Sequence, residues 1–240
     1  MTIANAADIK TCLVSAPKGR CVEESKIFEL VMYMVPVILS ITVHEYSHAL
    51  VSYKLGDDTA AMMGRLTLNP IAHIDLFGTV LIPVIAIIND APFFGWAKPV
   101  PFNPLRFNRA LRMKTSTLLV ALAGPVANML MAMLMVLVGR LLIAGPDFPG
   151  VGHVKNPFVM LVIMTMNVNV SLAVFNLVPI PPLDGSKILV GLLPDSAYPV
   201  IEFIEKYSFV LFIGLLLFGS SLITPPIVAV LRLFYHLMGL

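Results

Sequence analysis

The stretch "SITVHEYSHALVSYKL", residues 40–55, decides how the chain is read. It closes an apolar run that begins near Ile27. Crossing a bilayer core as helix takes about 20 apolar residues. Residues 27–50 supply them only if the face carrying His44, Glu45 and His48 is turned into protein. On a helix His44 and His48 stand at i and i+4, so both imidazoles can reach one zinc ion. Glu45 lies off that shared face, where it can sit beside the metal's open position and take a proton from water. A chance match, or histidines that hydrogen-bond between helices, is the plainer alternative. Ionisable residues at membrane depth are costly and mark function by default, which favours the metal.

Composition agrees with a membrane setting. The chain has 240 residues, 58% hydrophobic and only 12% charged. A soluble domain is nearer half apolar and a quarter charged. The net charge of +2 is too small to suggest nucleic-acid binding. The first 26 residues are polar, without the apolar core of a secretory signal. Cys12 and Cys21 both fall in this tail, as a disulfide or as two free thiols.

Further spans are expected at 117–138, 157–178 and 207–224, with a shorter apolar piece at 227–238 after Pro225 and Pro226. The segment 76–88 differs: as helix it reaches only about 20 Å against a core of about 30 Å. Pro83 interrupts it, and the proline- and glycine-rich "NDAPFFGWAKPVPFNP" follows at 89–104. Together these predict a re-entrant excursion, tolerated at membrane depth only against protein or a wet cavity. Residues 59–70, with Gly64 and the alternating "RLTLN", predict a short strand or hairpin. The expected fold is an all-α polytopic membrane protein with about five to six transmembrane helices, a small β-hairpin and a re-entrant segment. Its parts are a polar tail over 1–26, a core over 27–225 and a short C-terminal helix over 226–240.

A catalytic zinc needs a third protein ligand. The candidates are His73, Asp75, His153, His236 and Asp184. Asp184, in "FNLVPIPPLDGSK", alone combines membrane proximity with a broken helix. Pro179, Pro181 and Pro182 remove backbone donors, and Gly185 permits a sharp turn. An ordinary helix-ending Asp-Gly turn is the alternative.

Three motifs now stand in order: His44-Glu45-Tyr46-Ser47-His48, then Ala123-Gly124-Pro125-Val126-Ala127-Asn128, then Asn176-Leu177-Val178-Pro179 with Leu183-Asp184-Gly185. This order resembles the site-2 proteases, intramembrane zinc metalloproteases. "GRLTLNPIAHID" and "FGWAKPVPFNP" resemble the compact branch that lacks PDZ and CBS domains. The resemblance covers about residues 28–225. It implies one zinc ion per chain, held by His44, His48 and Asp184, with Glu45 as catalytic base. It implies that Asn176 holds the substrate backbone or the developing oxyanion, a role that suits a fixed neutral donor. The plainer reading of Asn176, and of Asn128, Asn167 and Asn169, is interhelical hydrogen bonding. Gly124-Pro125 reads as close helix packing.

The expected partner is a membrane-protein substrate with a locally unwound transmembrane helix, which "RLTLN" could pair with as a strand. Arg106, Arg109, Arg112 and Lys114, without acids among them, mark 103–116 as cytoplasmic. If 76–102 dips in and returns, His48 and Asp184 lie near that same face. A multi-pass protein of the cell (inner) membrane follows, its site open to the cytoplasmic side. The rival readings are a broken-helix transporter with a structural metal site, which an inverted repeat would have supported, and a haem protein, for which His44 and His48 lie too close together.

Overall fold

The computed structural model describes residues 20–89, 96–144 and 156–240. Cys12 and His153 lie outside them, so a Cys12–Cys21 pairing and a role for His153 fall outside the described residues. Nine α-helices are present among the described residues. They are α1 Arg20–Lys54, α2 Thr59–Met62, α3 Ile82–Ile88, α4 Met113–Ala144, α5 Pro157–Asn176, α6 Asp184–Leu192, α7 Tyr198–Lys206, α8 Ser208–Phe218 and α9 Ser220–Met238. Four of them, α1, α4, α5 and α9, contain stretches long and apolar enough to cross a membrane.

Helices α1, α4 and α5 pack against one another and form the centre of the molecule. In lipid there is no hydrophobic drive between apolar helices, so close packing and interhelical hydrogen bonds hold such a bundle. Small side chains do this here: Ala49, Ala121, Ala132 and Ala173 are all buried. Polar links add register. Asn169 on α5 donates to Ser40 Oγ on α1 at 2.7 Å. The Tyr235 hydroxyl on α9 donates to Asn167 Oδ1 on α5 at 2.9 Å. A second apolar cluster, with Ala132, Val136, Met166, Val170, Phe234 and Met238, ties α9 to α4 and α5.

The fourth span differs from the sequence expectation. The chain breaks at Gly219, so 207–224 is not one helix, and α9 runs straight through Pro225 and Pro226. The two prolines remove helix hydrogen bonds, a loss that membrane helices accommodate. Preceding α9, α8 is only 11 residues long and exposes Phe209, Leu217 and Phe218. Its outer face suits lipid rather than water.

The strand or hairpin expected over 59–70 is not formed. Thr59–Met62 is a helical turn, and Gly64 takes a left-handed φ of 68° before an irregular stretch. No strand is present among the described residues, and an extended segment needs a ladder partner to become one. The backbone is satisfied locally instead: Arg65 N–H donates to Ala60 O at 2.8 Å, and the His73 ring meets Thr67 O at 2.8 Å.

The excursion of 76–88 comprises a wide turn, Leu76–Leu81, followed by α3. Asp75 caps it, accepting from Phe77 N–H and Gly78 N–H. At its far end Lys26 Nζ donates to Ile88 O at 2.5 Å. By Trp96 the chain is back beside its starting point, with Trp96 N–H donating to Gly78 O at 3.3 Å. Thr79 Oγ1 donates to Trp96 O at 2.7 Å. A Cβ on Gly78 would overlap the Trp96 ring, so glycine is required where the two legs meet. Gly78 and Thr79 at the start of the excursion are thus joined to Trp96.

Candidate metal centre

The motif residues gather toward one end of the bundle, inside α1 and α4 and just beyond the end of α5. At 1.5 Å per residue His44 stands about 15 Å along α1 from Lys54, and Gly124 about 17 Å along α4 from Met113. Helix α5 ends at Asn176, and a tight turn over 177–183 leads into α6. Asp184 is the first residue of α6 and is buried. The turn closes through Ile180 N–H to Val178 O at 2.8 Å and Leu183 N–H to Ile180 O at 3.0 Å. Gly185 is needed here, though not for a left-handed conformation. A Cβ would lie 2.3 Å from Val178 O and 2.4 Å from Leu177 O.

His44, His48 and Asp184 converge, all three about 7% exposed. His44 Nε2 lies 3.0 Å from Asp184 Oδ2, His48 Nε2 lies 3.1 Å from it, and the two Nε2 atoms are 3.0 Å apart. Ligands at 2.0–2.2 Å around a tetrahedral zinc stand roughly 3.3 Å apart, within a few tenths of this spacing. The protonation pattern fits as well. His48 Nδ1 lies 2.7 Å from Val120 O, a carbonyl that can only accept, so the proton is on Nδ1. In the neutral ring the Nε2 lone pair then points into the cluster. Lone pairs and a carboxylate oxygen converging on one point ask for a cation. The donor set, two imidazoles and a carboxylate, is one that catalytic zinc sites use.

Gly124 makes this approach possible. A Cβ there would sit 2.5 Å from His44 Cε1 and from His48 Nε2. The sequence reading of Gly124 as a packing residue is right in kind, but the surface it packs against is the site itself.

Glu45 is placed by a segment that sequence reasoning did not connect to it. Val100 N–H donates to Glu45 Oε2 at 2.9 Å. Val100 packs with Ala49 and Ala60 against the end of α1. The segment around it is pinned on both sides. Lys98 N–H donates to His73 O at 3.1 Å, and Asn103 N–H donates to Asp57 Oδ2 at 2.6 Å. Asp57 is fully buried and also accepts from Ser52 Oγ, Thr59 N–H and Thr59 Oγ1. Gly56, at φ 103°, lets the chain turn tightly under Asn108, whose N–H donates to Leu55 O at 2.7 Å.

Burial alone would raise the Asp57 pKa, but hydrogen bonds from Thr59, Asn103 and Ser52 outweigh it and hold the carboxyl below its ordinary value. A depressed folded-state pKa stabilises above the unfolded value, about 3.9, and that contribution is lost as pH falls through the folded value. Asp57→Ala strands buried donors, including Asn103 N–H, at a cost of about 1–3 kcal/mol each. We expect Asp57→Ala to lower the thermal midpoint at neutral pH and to slow catalysis while zinc stays bound. Asp57→Asn should show a shallower loss of stability below about pH 4 than the parent chain. Thermal unfolding across pH and zinc content measure both.

The remaining sequence candidates lie elsewhere. His73 is fully buried on Thr67 O, Asp75 caps the wide turn, and His236 is exposed near the C-terminus. None of these joins the cluster. Asn176 donates back to Leu172 O at 3.0 Å on its own helix. Asn128 is fully buried, and neither its Nδ2 nor its Oδ1 has a partner among the described residues.

A buried His-His-carboxylate set on a membrane bundle defines a zinc-hydrolase type of centre. Comparison with known proteins narrows the class. The sequence profile of peptidase family M50 matches residues 143–219. The Bacillus subtilis (strain 168) protein named "Putative zinc metalloprotease YwhC" is 37% identical over 214 residues, 84% of this chain and 90% of its own length. The Mycolicibacterium smegmatis protein named "Putative zinc metalloprotease Rip2" is 28% identical over 181 residues, 75% of this chain and 64% of its own. The Rip2 of Mycobacterium tuberculosis (strain ATCC 35801 / TMC 107 / Erdman) is 29% identical over 191 residues, 77% of this chain and 67% of its own. No solved structure matches. The chain belongs to peptidase family M50, the site-2 proteases, and is a zinc metalloprotease of that family. The transporter reading gains no support from these relatives.

Proposed function

We propose that the protein hydrolyses peptide bonds in or near transmembrane segments of membrane-protein substrates. The observation that carries this is the convergence of His44, His48 and Asp184 at a buried point within helices long enough to span a membrane. In this reading those three residues hold one zinc ion. A bound zinc polarises a scissile carbonyl and lowers the pKa of a coordinated water.

The chain's own residues supply the rest. Val100 N–H restrains Glu45 Oε2 and leaves Oε1 to take a proton from the attacking water and pass it to the leaving amine. Asn176, the last residue of α5 before the loop to Asp184, offers an amide to the substrate backbone or to developing negative charge once it gives up Leu172 O. The burial of the three ligand side chains keeps bulk water at a distance, which strengthens every charge interaction within. A helix hides its own backbone, so the substrate must unwind locally to present a peptide bond. Arg106, Arg109, Arg112 and Lys114 mark the near face as cytoplasmic. In this reading the site, about 15 Å along α1 from Lys54, is reached by water from that side.

The test is metal removal in liposomes. The purified chain, reconstituted with a membrane-tethered reporter, should cut it at a position within or beside the transmembrane segment. A chelator should stop cleavage, and zinc should restore it. Undiminished cleavage by a chelated sample with no measurable zinc, or ion flux without any cleavage, sinks the proposal.

A further inference from the structure

The two histidines are supported unequally. His48 has its Nδ1–H on Val120 O at 2.7 Å. His44 Nδ1 is buried and has no partner among the described residues. If His44 Nε2 holds the metal, its proton must be on Nδ1, and a buried N–H without an acceptor is costly. A metal-ligating histidine almost always donates that second N–H to a carboxylate, a carbonyl or a water.

The register of α1 on α4 shows where the acceptor lies. His48 meets Val120, and His44 and His48 meet Gly124. The helices therefore run antiparallel, and one more turn brings Asn128 on α4 to the level between His44 and Ser40 on α1. Asn169 on α5 is fixed at the same level by its bond to Ser40 Oγ. Asn128 and Asn169 are fully buried. The unpartnered buried atoms of this layer are His44 Nδ1, Asn128 Nδ2, Asn128 Oδ1 and Asn169 Oδ1. They comprise two donor groups that need acceptors, His44 Nδ1–H and Asn128 Nδ2, and two side-chain oxygens that need donors, Asn128 Oδ1 and Asn169 Oδ1. A buried water typically makes about three hydrogen bonds to such groups.

We propose that Asn128 is a positioning residue for His44, acting through one buried water. That water accepts from His44 Nδ1–H and donates to the side-chain oxygens of Asn128 and Asn169. The link fixes the His44 tautomer and ring plane, and it rests on the zinc reading of the site. The asparagine of Ala123–Asn128 is then a support of the metal centre rather than a helix-packing contact.

The experiment uses the full chain in detergent. Zinc affinity is measured by competition with a chromogenic chelator, the cobalt-substituted protein by its visible spectrum, and the metal-free protein by thermal unfolding. Asn128→Ala should bind zinc about 10- to 100-fold more weakly and shift the cobalt bands. Asn128→Asp, which keeps the acceptor, should restore both. Asn128→Leu, similar in volume and suited to an apolar bundle, gives the same comparison if the alanine variant does not fold. Zinc affinity and cobalt spectrum unchanged in Asn128→Ala or Asn128→Leu, with only the thermal midpoint lowered, overturn the proposal. A parent chain that binds no zinc, or a His44→Ala variant that binds it undiminished, overturns the underlying site and the proposal together.

Discussion

Glu45→Gln should keep about one zinc per chain and lose cleavage by roughly 10²- to 10⁴-fold, the range that a general base contributes. The substitution keeps size and hydrogen-bonding shape. The amide oxygen can still accept from Val100 N–H, so the 96–103 segment stays in place. It removes only the ability to hold a proton. Asp184→Ala is the contrasting case. It takes one of three converging donors, from a position 136 residues beyond His48, and should lose zinc and cleavage together. Zinc content by mass spectrometry and single-turnover cleavage of a tethered reporter separate the two variants. Full cleavage by Glu45→Gln would remove Glu45 from the chemistry. Loss of zinc in that variant would make it part of the metal's support instead.

That Asp184 could be named from sequence at all has a physical reason. Three ionisable groups on one apolar helix cannot be left without a use, and the prolines at 179, 181 and 182 leave Asp184 on a segment that cannot continue as a plain helix. Signals of this kind are local and strong. The features that stayed hidden depend on contacts between distant parts of the chain. Nothing within "GWAKPV" shows that Val100 N–H will reach Glu45, 55 residues earlier. Nothing in "AGPVAN" shows that Gly124 will face the histidines rather than another helix. The hairpin expected over 59–70 failed for the same reason: alternation suits a strand, but a strand exists only where a partner lies alongside. The fourth span was misplaced because two prolines outweigh one glycine in any local reading. In the folded chain Pro225 and Pro226 stay inside α9, and the break falls at Gly219. A Cβ at Gly219 would sit 2.2 Å from Leu215 O, so that break needs glycine for close approach.

Gly124→Ala should abolish the metal site with a single methyl group. The added carbon would lie 2.5 Å from His44 Cε1, 2.5 Å from His48 Nε2 and 2.6 Å from His44 Nε2. Separations under 3.0 Å force something to move. The His48 ring has little freedom, because its Nδ1 is held on Val120 O, a carbonyl four residues from the new methyl on the same helix. Turning the ring away would break that bond and carry Nε2 off the cluster. The other escape is for α1 and α4 to separate. That opens the spacing between the histidines and Asp184, which now lie within 3.1 Å of one another. Either way zinc affinity should fall at least as far as the roughly 10- to 100-fold lost when a ligand loses its supporting partner. The metal-free fold should suffer less. Alanine is favoured over glycine in a helix by about 0.5–1 kcal/mol, which offsets part of the displacement. The signature is therefore a metal-free thermal midpoint near that of the parent chain beside a much weaker zinc titration and no cleavage. A Gly124→Ala protein that titrates zinc like the parent would show that the two helices can part without cost, and that Gly124 does not set the distance on which the site depends.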